Sequence, residues 1–144
     1  MKSAILYFSY GSNMDAESMK KNYPKAVFKG PAFLENYKFV YTSFLEARKR
    51  GGADMVASEN EKVWGLLYEM NIDEMVDLDK NKTNLYERIT VKVNVNTQTL
   101  EVQTYVLKDK SLVSSKPSPE YVDLLVSLAK KYYFPESYIN YLKS

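Results

Sequence analysis

Apolar positions along the chain recur at two spacings, and these sort it into elements. Ile89, Val91, Val93 and Val95 alternate with Thr90, Lys92 and Asn94, the two-residue period of a strand with one buried face. Leu100–Leu107 alternates in the same way, and the short polar Asn96-Thr97-Gln98-Thr99 between the two predicts a hairpin. Further strands are predicted over Ala4–Tyr10, Tyr37–Phe44 and Lys62–Met70, where aromatic and branched residues cluster. Helical spacing appears over Ser118–Tyr133: Tyr121, Leu124, Leu125, Leu128 and Tyr132 share a face, Ser118 caps it and Pro119 sits at the first position. Shorter helices are predicted over Asp15–Asn22, stopped by Tyr23-Pro24, over Ile72–Leu78 with Asn71 as N-cap, and over Glu136–Leu142 after Pro135. Glu46–Gly52 reads as a loop. Strands outnumber helices and hairpins join some of them, so the pattern predicts one α+β domain over residues 1–144, built on a mostly antiparallel sheet or barrel.

Composition narrows the chemistry. A net charge of +2 over 144 residues is too small to argue for a nucleic-acid polymer as partner. The chain has no cysteine, hence no disulfide and no thiol nucleophile, which agrees with a reducing cytoplasm and gives cytoplasmic localisation as the expectation. It has no histidine, which excludes a Ser-His-Asp triad and most zinc sites, and leaves Ser9, Ser12 and Thr42 without an imidazole to activate them. The acidic residues form no metal-ligand grouping; Asp77 and Asp79, two apart, read as exposed. Neither a cofactor nor a metal is expected. No apolar run approaches the roughly 20 residues of a membrane span, and the N-terminus lacks a secretion-signal layout.

One stretch carries candidate chemistry. The apolar Ile5-Leu6-Tyr7-Phe8 gives way to Gly11-Ser12-Asn13, and Asp15, Glu17 and Ser18 then start a helix. A strand that ends in such a turn can aim backbone N–H groups at one spot beside a helix N-terminus, an arrangement suited to an anion or an oxyanion; a purely structural turn is the competing reading. Arg48-Lys49-Arg50, followed by Gly51-Gly52, reads either as a phosphate-binding lid or as an exposed loop. In the helical stripe from Tyr121 to Leu128, Tyr121 alone is a pocket candidate. Tyr132-Tyr133-Phe134 and Tyr138 are assigned to packing or to an oligomer surface, such as that of a homodimer.

The Tyr10-Gly11-Ser12-Asn13-Met14 loop resembles the signature of the γ-glutamylcyclotransferase family. Further pieces follow in that family's order: Gly51-Gly52-Ala53-Asp54, Val63-Trp64-Gly65-Leu66-Leu67-Tyr68, Leu78-Asp79, Tyr86 before Val91-Lys92-Val93, Thr104-Tyr105, and Pro117-Ser118-Pro119-Glu120-Tyr121. The resemblance implies a small β-barrel with flanking helices and a cavity at one end. It implies release of 5-oxoproline from γ-glutamyl compounds, in which the substrate's own α-amine attacks its γ-carbonyl. By the same resemblance, backbone groups around Gly11, Ser12 and Asn13 bind substrate and oxyanion, Tyr10 and Met14 of that loop count with them as ligand-binding residues, and Tyr86 and Tyr121 line the pocket. The base is a glutamate in a Leu-Asp-x-x-Glu-Gly pattern.

This sequence departs from the family at that base. It reads Leu78-Asp79-Lys80-Asn81-Lys82-Thr83-Asn84-Leu85-Tyr86. Aligned without a gap, Lys82 stands where the glutamate belongs, and no gap placement restores an acid. Glu87 neighbours Tyr86 on a strand, so its side chain faces the other way; Asp79 is one helical turn earlier. An ammonium in place of a carboxylate repels the substrate's own ammonium, by about 1 kcal/mol at 4 Å in water and about 4 at an effective dielectric of 20. Three expectations stand. The first is a degenerate relative that binds a small anionic metabolite or nucleotide, with Lys82 among its ligand-binding residues. The second is an active cyclotransferase with Asp79 or Glu87 as a displaced base. The third is a subunit that uses the fold for protein contacts only.

Overall fold

A computed structural model of the chain describes residues 4–42, 52–82, 85–110 and 118–144. Five strands, β1 (Ala4–Ser9), β2 (Val27–Thr42), β3 (Gly52–Asn71), β4 (Tyr86–Val95) and β5 (Gln98–Leu107), close into a barrel in the order β1-β3-β2-β4-β5. All neighbours are antiparallel except β1 and β5, which meet in parallel at Tyr7 and Gln103. Four helices flank the barrel: α1 (Ala16–Asn22), α2 (Ile72–Asn81), α3 (Pro119–Lys131) and α4 (Glu136–Lys143). The fold is therefore α+β, as the resemblance implies.

The alternating strands behave as their pattern predicts. Val91 and Val93 on β4 and Val102, Thr104 and Val106 on β5 face inward and are buried, and the hairpin turns at Asn96-Thr97. Asn71 and Ser118 cap α2 and α3, their side chains accepting from the backbone N–H groups of Glu74 and Tyr121 at 2.8 and 3.2 Å. Tyr121, Leu125, Leu128 and Ala129 bury one face of α3.

The long strands differ from the sequence reading. β2 begins at Val27, ten residues before the predicted Tyr37 start, and β3 at Gly52, ten before Lys62. Gly30, Pro31 and Asn36 lie within β2 and Asn60 within β3. Gly30 (φ 106°) and Asn36 (φ 67°) sit at register shifts of the β2–β3 pair, where a residue with positive φ lets the strand continue around the barrel. Gly52 is thus strand rather than loop; 46–51 and 43–44 lie outside the described residues. Gly65 answers a different need. A Cβ there would stand 2.4 Å from the Ser9 carbonyl oxygen, so its absence lets β3 pack against the end of β1, where the site begins.

Candidate functional site

The end of β1, the end of α2 and the β4–β5 hairpin enclose a small cleft with two walls of different construction and a cavity of about 30 Å³. The first wall comes from β1 and the turn after it. Alternation along β1 puts Tyr7 and Ser9 on one side of the strand, and both line the cleft. The chain then turns through Tyr10 and Gly11 into a 3₁₀ turn, Ser12–Met14, closed by the Met14 N–H on the Gly11 carbonyl at 3.0 Å. Asp15 caps α1 by accepting from the Glu17 N–H at 3.1 Å. Asn13 donates to the Tyr7 hydroxyl at 3.2 Å, and the Tyr10 hydroxyl donates to the Tyr105 carbonyl at 2.5 Å. Gly11 leaves room for its neighbours: a Cβ would sit 3.3 Å from Ala53 Cβ and 3.5 Å from the Tyr121 hydroxyl.

The facing wall comes from the end of α2 and the β4–β5 hairpin. Lys82 is the C-cap of α2, its N–H donating to the Leu78 carbonyl at 3.1 Å. From there its ammonium reaches over two aromatic faces, 5.3 Å from the ring centres of both Tyr86 and Tyr105, within the range of cation–π attraction. The Tyr86 hydroxyl donates to the Ala53 carbonyl at 3.0 Å, tying this wall to β3. Thr104 donates to the Phe8 carbonyl at 2.7 Å and closes the floor.

Two carboxylates stand behind these walls. Asp54 is fully buried and accepts from the Leu107 N–H at 3.0 Å and from the Lys110 ammonium at 2.9 Å. Asp79 accepts from the Tyr105 hydroxyl and pairs with the Arg88 guanidinium at 3.1 Å. Among the described residues no carboxylate lines the cleft.

The cleft's phenols are donors. Burial pushes the Tyr7 hydroxyl up against the opposing Asn13 hydrogen bond; the Ser9 hydroxyl stands near it, short of an ordinary hydrogen bond. Burial raises Tyr10 far above the usual phenol value, helped by the negative charge of Asp54. Burial also raises Tyr105, followed by its hydrogen bond to Asp79 and that carboxylate's charge. All three stay protonated at neutral pH and offer no base. Tyr10, Tyr86 and Tyr105 give their single hydroxyl protons to the Tyr105 carbonyl, the Ala53 carbonyl and Asp79.

Of the residues singled out in the sequence, Tyr10, Gly11, Asn13, Lys82, Tyr86 and Tyr121 meet in this cleft. The Ser12 backbone is in the turn beside it. Met14 is not at the cleft: its side chain is buried in the core and its carbonyl accepts from the Tyr68 hydroxyl at 3.2 Å. Glu87 is exposed and Lys80 is solvated, while Asp79 is half-buried and bonded rather than exposed. Arg48, Lys49 and Arg50 lie outside the described residues. Phe134 and Tyr138 pack in the core, whereas Tyr133 is 91% exposed. Sequence reasoning missed Tyr7, Ser9, Ala53, Thr104 and Tyr105 as lining residues. Alternation from the Gly-Ser-Asn turn back along β1 was the signal for Tyr7 and Ser9; no local signal joins Tyr105 to Asp79.

Known proteins share this architecture. The family model described as "AIG2-like family" matches residues 62–142. The mouse protein named gamma-glutamylcyclotransferase is 31% identical over 148 residues, covering 97% of this chain and 78% of its own length; the bovine protein of the same name is 30% identical, covering 98% and 78%. A solved structure titled gamma-glutamyl cyclotransferase superposes with a TM-score of 0.87 at 28% identity, covering 99% of this chain and 88% of that one. With more than half of the chain matched by the family model and relatives of 30% identity or more over nearly its whole length, the chain belongs to the AIG2-like, γ-glutamylcyclotransferase-like family.

Proposed function

We propose that this chain is a catalytically degenerate member of its family that binds, and so senses or sequesters, a small anionic metabolite or nucleotide-type signal by its anionic group. The observation that carries the reading is Lys82: its ammonium forms part of a cleft wall that holds no described carboxylate and faces the Gly-Ser-Asn turn. Cyclisation of a γ-glutamyl compound needs a base for the substrate ammonium. Phenols with raised pKa values do not supply one, and a lysine ammonium opposes the substrate's own positive charge. A carboxylate or phosphate gains from Lys82 as a point charge, from the turn's N–H groups and from the Tyr7 hydroxyl, which accepts from Asn13 and keeps its own proton to donate. Tyr86 and Tyr121 offer ring faces for a ligand's aromatic part.

A second reading is favoured by one contact. Tyr105 lines the cleft and its hydroxyl donates to Asp79, so Asp79 is the displaced carboxylate best connected to a reacting amine; Glu87 is exposed on the strand's other face. The test is a pair of measurements on the wild-type protein. Incubation with γ-glutamyl dipeptides gives no 5-oxoproline, while a panel of carboxylates, phosphates and nucleotides contains ligands that raise the melting temperature, by the equivalent of about 2.7 kcal/mol at 100 times the dissociation constant. Turnover abolished by Asp79→Asn would establish the second reading in place of the first.

A further inference from the structure

Several of the cleft's hydroxyl protons are already spent. Thr104 donates to the Phe8 carbonyl at 2.7 Å, and Tyr10, Tyr86 and Tyr105 donate within the protein as described. Ser9 differs. It lines the cleft and is 1% exposed, and no described residue gives its Oγ a hydrogen-bond partner. Leaving a buried hydroxyl in that state is costly, and native structures keep few such groups. The barrel fixes its position. Alternation along β1 puts Ser9 on the same side as Tyr7, with Phe8 buried on the other. The Thr104 bond holds the end of this strand from β5, and Gly65 lets β3 lie close against the Ser9 carbonyl. The Tyr7 hydroxyl, beside Ser9, accepts from Asn13 at 3.2 Å and keeps its own proton. Two O–H groups on one strand thus face a cavity of about 30 Å³, room for a terminal oxygen but not for a ring.

We propose that Ser9 is a specificity-determining residue of this cleft: with Tyr7 it forms a two-donor subsite for one terminal oxygen of a ligand's carboxylate or phosphate group. The inference rests on the anion-binding reading and adds to it the point at which the anion is seated. An oxygen there accepts from both hydroxyls at once, and neither has to give up a bond it now makes. A neutral hydroxyl or amide fits the same space, but an anionic oxygen gains the charge-assisted strength of both bonds. Because both groups stand on a paired strand rather than on a loop, the subsite is set before the ligand arrives.

Ser9→Ala tests this, because it removes one oxygen and little volume. Calorimetric titration with inorganic phosphate and, separately, with acetate should show affinity about tenfold lower than wild type for whichever anion binds. The unliganded variant should melt no lower than wild type, since it no longer buries an unpaired hydroxyl. An unchanged affinity overturns the proposal, whatever the melting temperature. A crystal structure of the wild-type protein with the bound anion reads the contact directly: one anion oxygen lies within hydrogen-bond distance of both the Ser9 Oγ and the Tyr7 hydroxyl. An anion seated elsewhere, with only water against Ser9, overturns the inference. If neither phosphate nor acetate binds, the anion-binding reading fails, and titration with a γ-glutamyl dipeptide decides Ser9 by itself. A tenfold loss in Ser9→Ala then retains the subsite, whereas equal affinity, or no binding at all, removes it.

Discussion

The two walls of the cleft are built from different materials. The β1 wall is a strand end and a 3₁₀ turn closed by a 3.0 Å hydrogen bond, with Gly11 close against Ala53 and Tyr121. Its side-chain chemistry comes from Tyr7, Ser9 and Asn13, which the strand's alternation and the turn bring to the cleft. The α2–β4–β5 wall is made of side chains: Lys82 over Tyr86 and Tyr105, with Asp79 and Arg88 behind. In the proposed reading, Lys82 at the C-cap of α2 sets the charge of the second wall, while the first wall does not depend on it.

The strongest way to break that contrast is Lys82→Glu. It places a carboxylate opposite an unchanged donor wall. General-base catalysis contributes about 10²–10⁴-fold, so release of 5-oxoproline from a γ-glutamyl dipeptide should rise from background by that order while affinity for anions falls. A variant that gains nothing and keeps its anion affinity would mean that the charge of the second wall is irrelevant. A smaller effect sharpens the comparison from the other side. The Gly11→Ala methyl would stand 3.3 Å from Ala53 Cβ and 3.5 Å from the Tyr121 hydroxyl, close enough to crowd the turn but not to unfold it. Stability should fall by under about 1 kcal/mol, a melting shift of a few degrees, and phosphate affinity by about threefold, measured by calorimetry and thermal melts. An affinity equal to wild type would remove the turn from the binding surface.

The same division explains what could be read from the sequence. The first wall was legible because it is local: an apolar run, a Gly-Ser-Asn turn and a capped helix lie within fifteen residues. Caps at Asn71 and Ser118 and the alternation of Ile89–Val95 were legible for the same reason. Lys82 stands out only against the pattern of the family resemblance, which leads one to expect a glutamate there but says nothing of what surrounds the lysine. The network behind it was not legible, because Asp79, Arg88 and Tyr105 come together through the docking of α2 onto a hairpin, up to 26 residues away in sequence. The sequence reading starts both long strands ten residues late, because a barrel bends a strand at positive-φ residues such as Gly30 and Asn36 and only the pairing partner reveals that it continues.

In the proposed reading the cleft favours negative groups and disfavours a free α-ammonium. Calorimetric titration of the wild-type protein with a γ-glutamyl dipeptide and with the same peptide N-acetylated isolates that one positive charge. Removing a like charge near Lys82 is worth about 1 kcal/mol or more, so the acetylated peptide should bind at least about fivefold more tightly and neither should yield 5-oxoproline. Tighter binding of the free amine, accompanied by its cyclisation, would contradict the account.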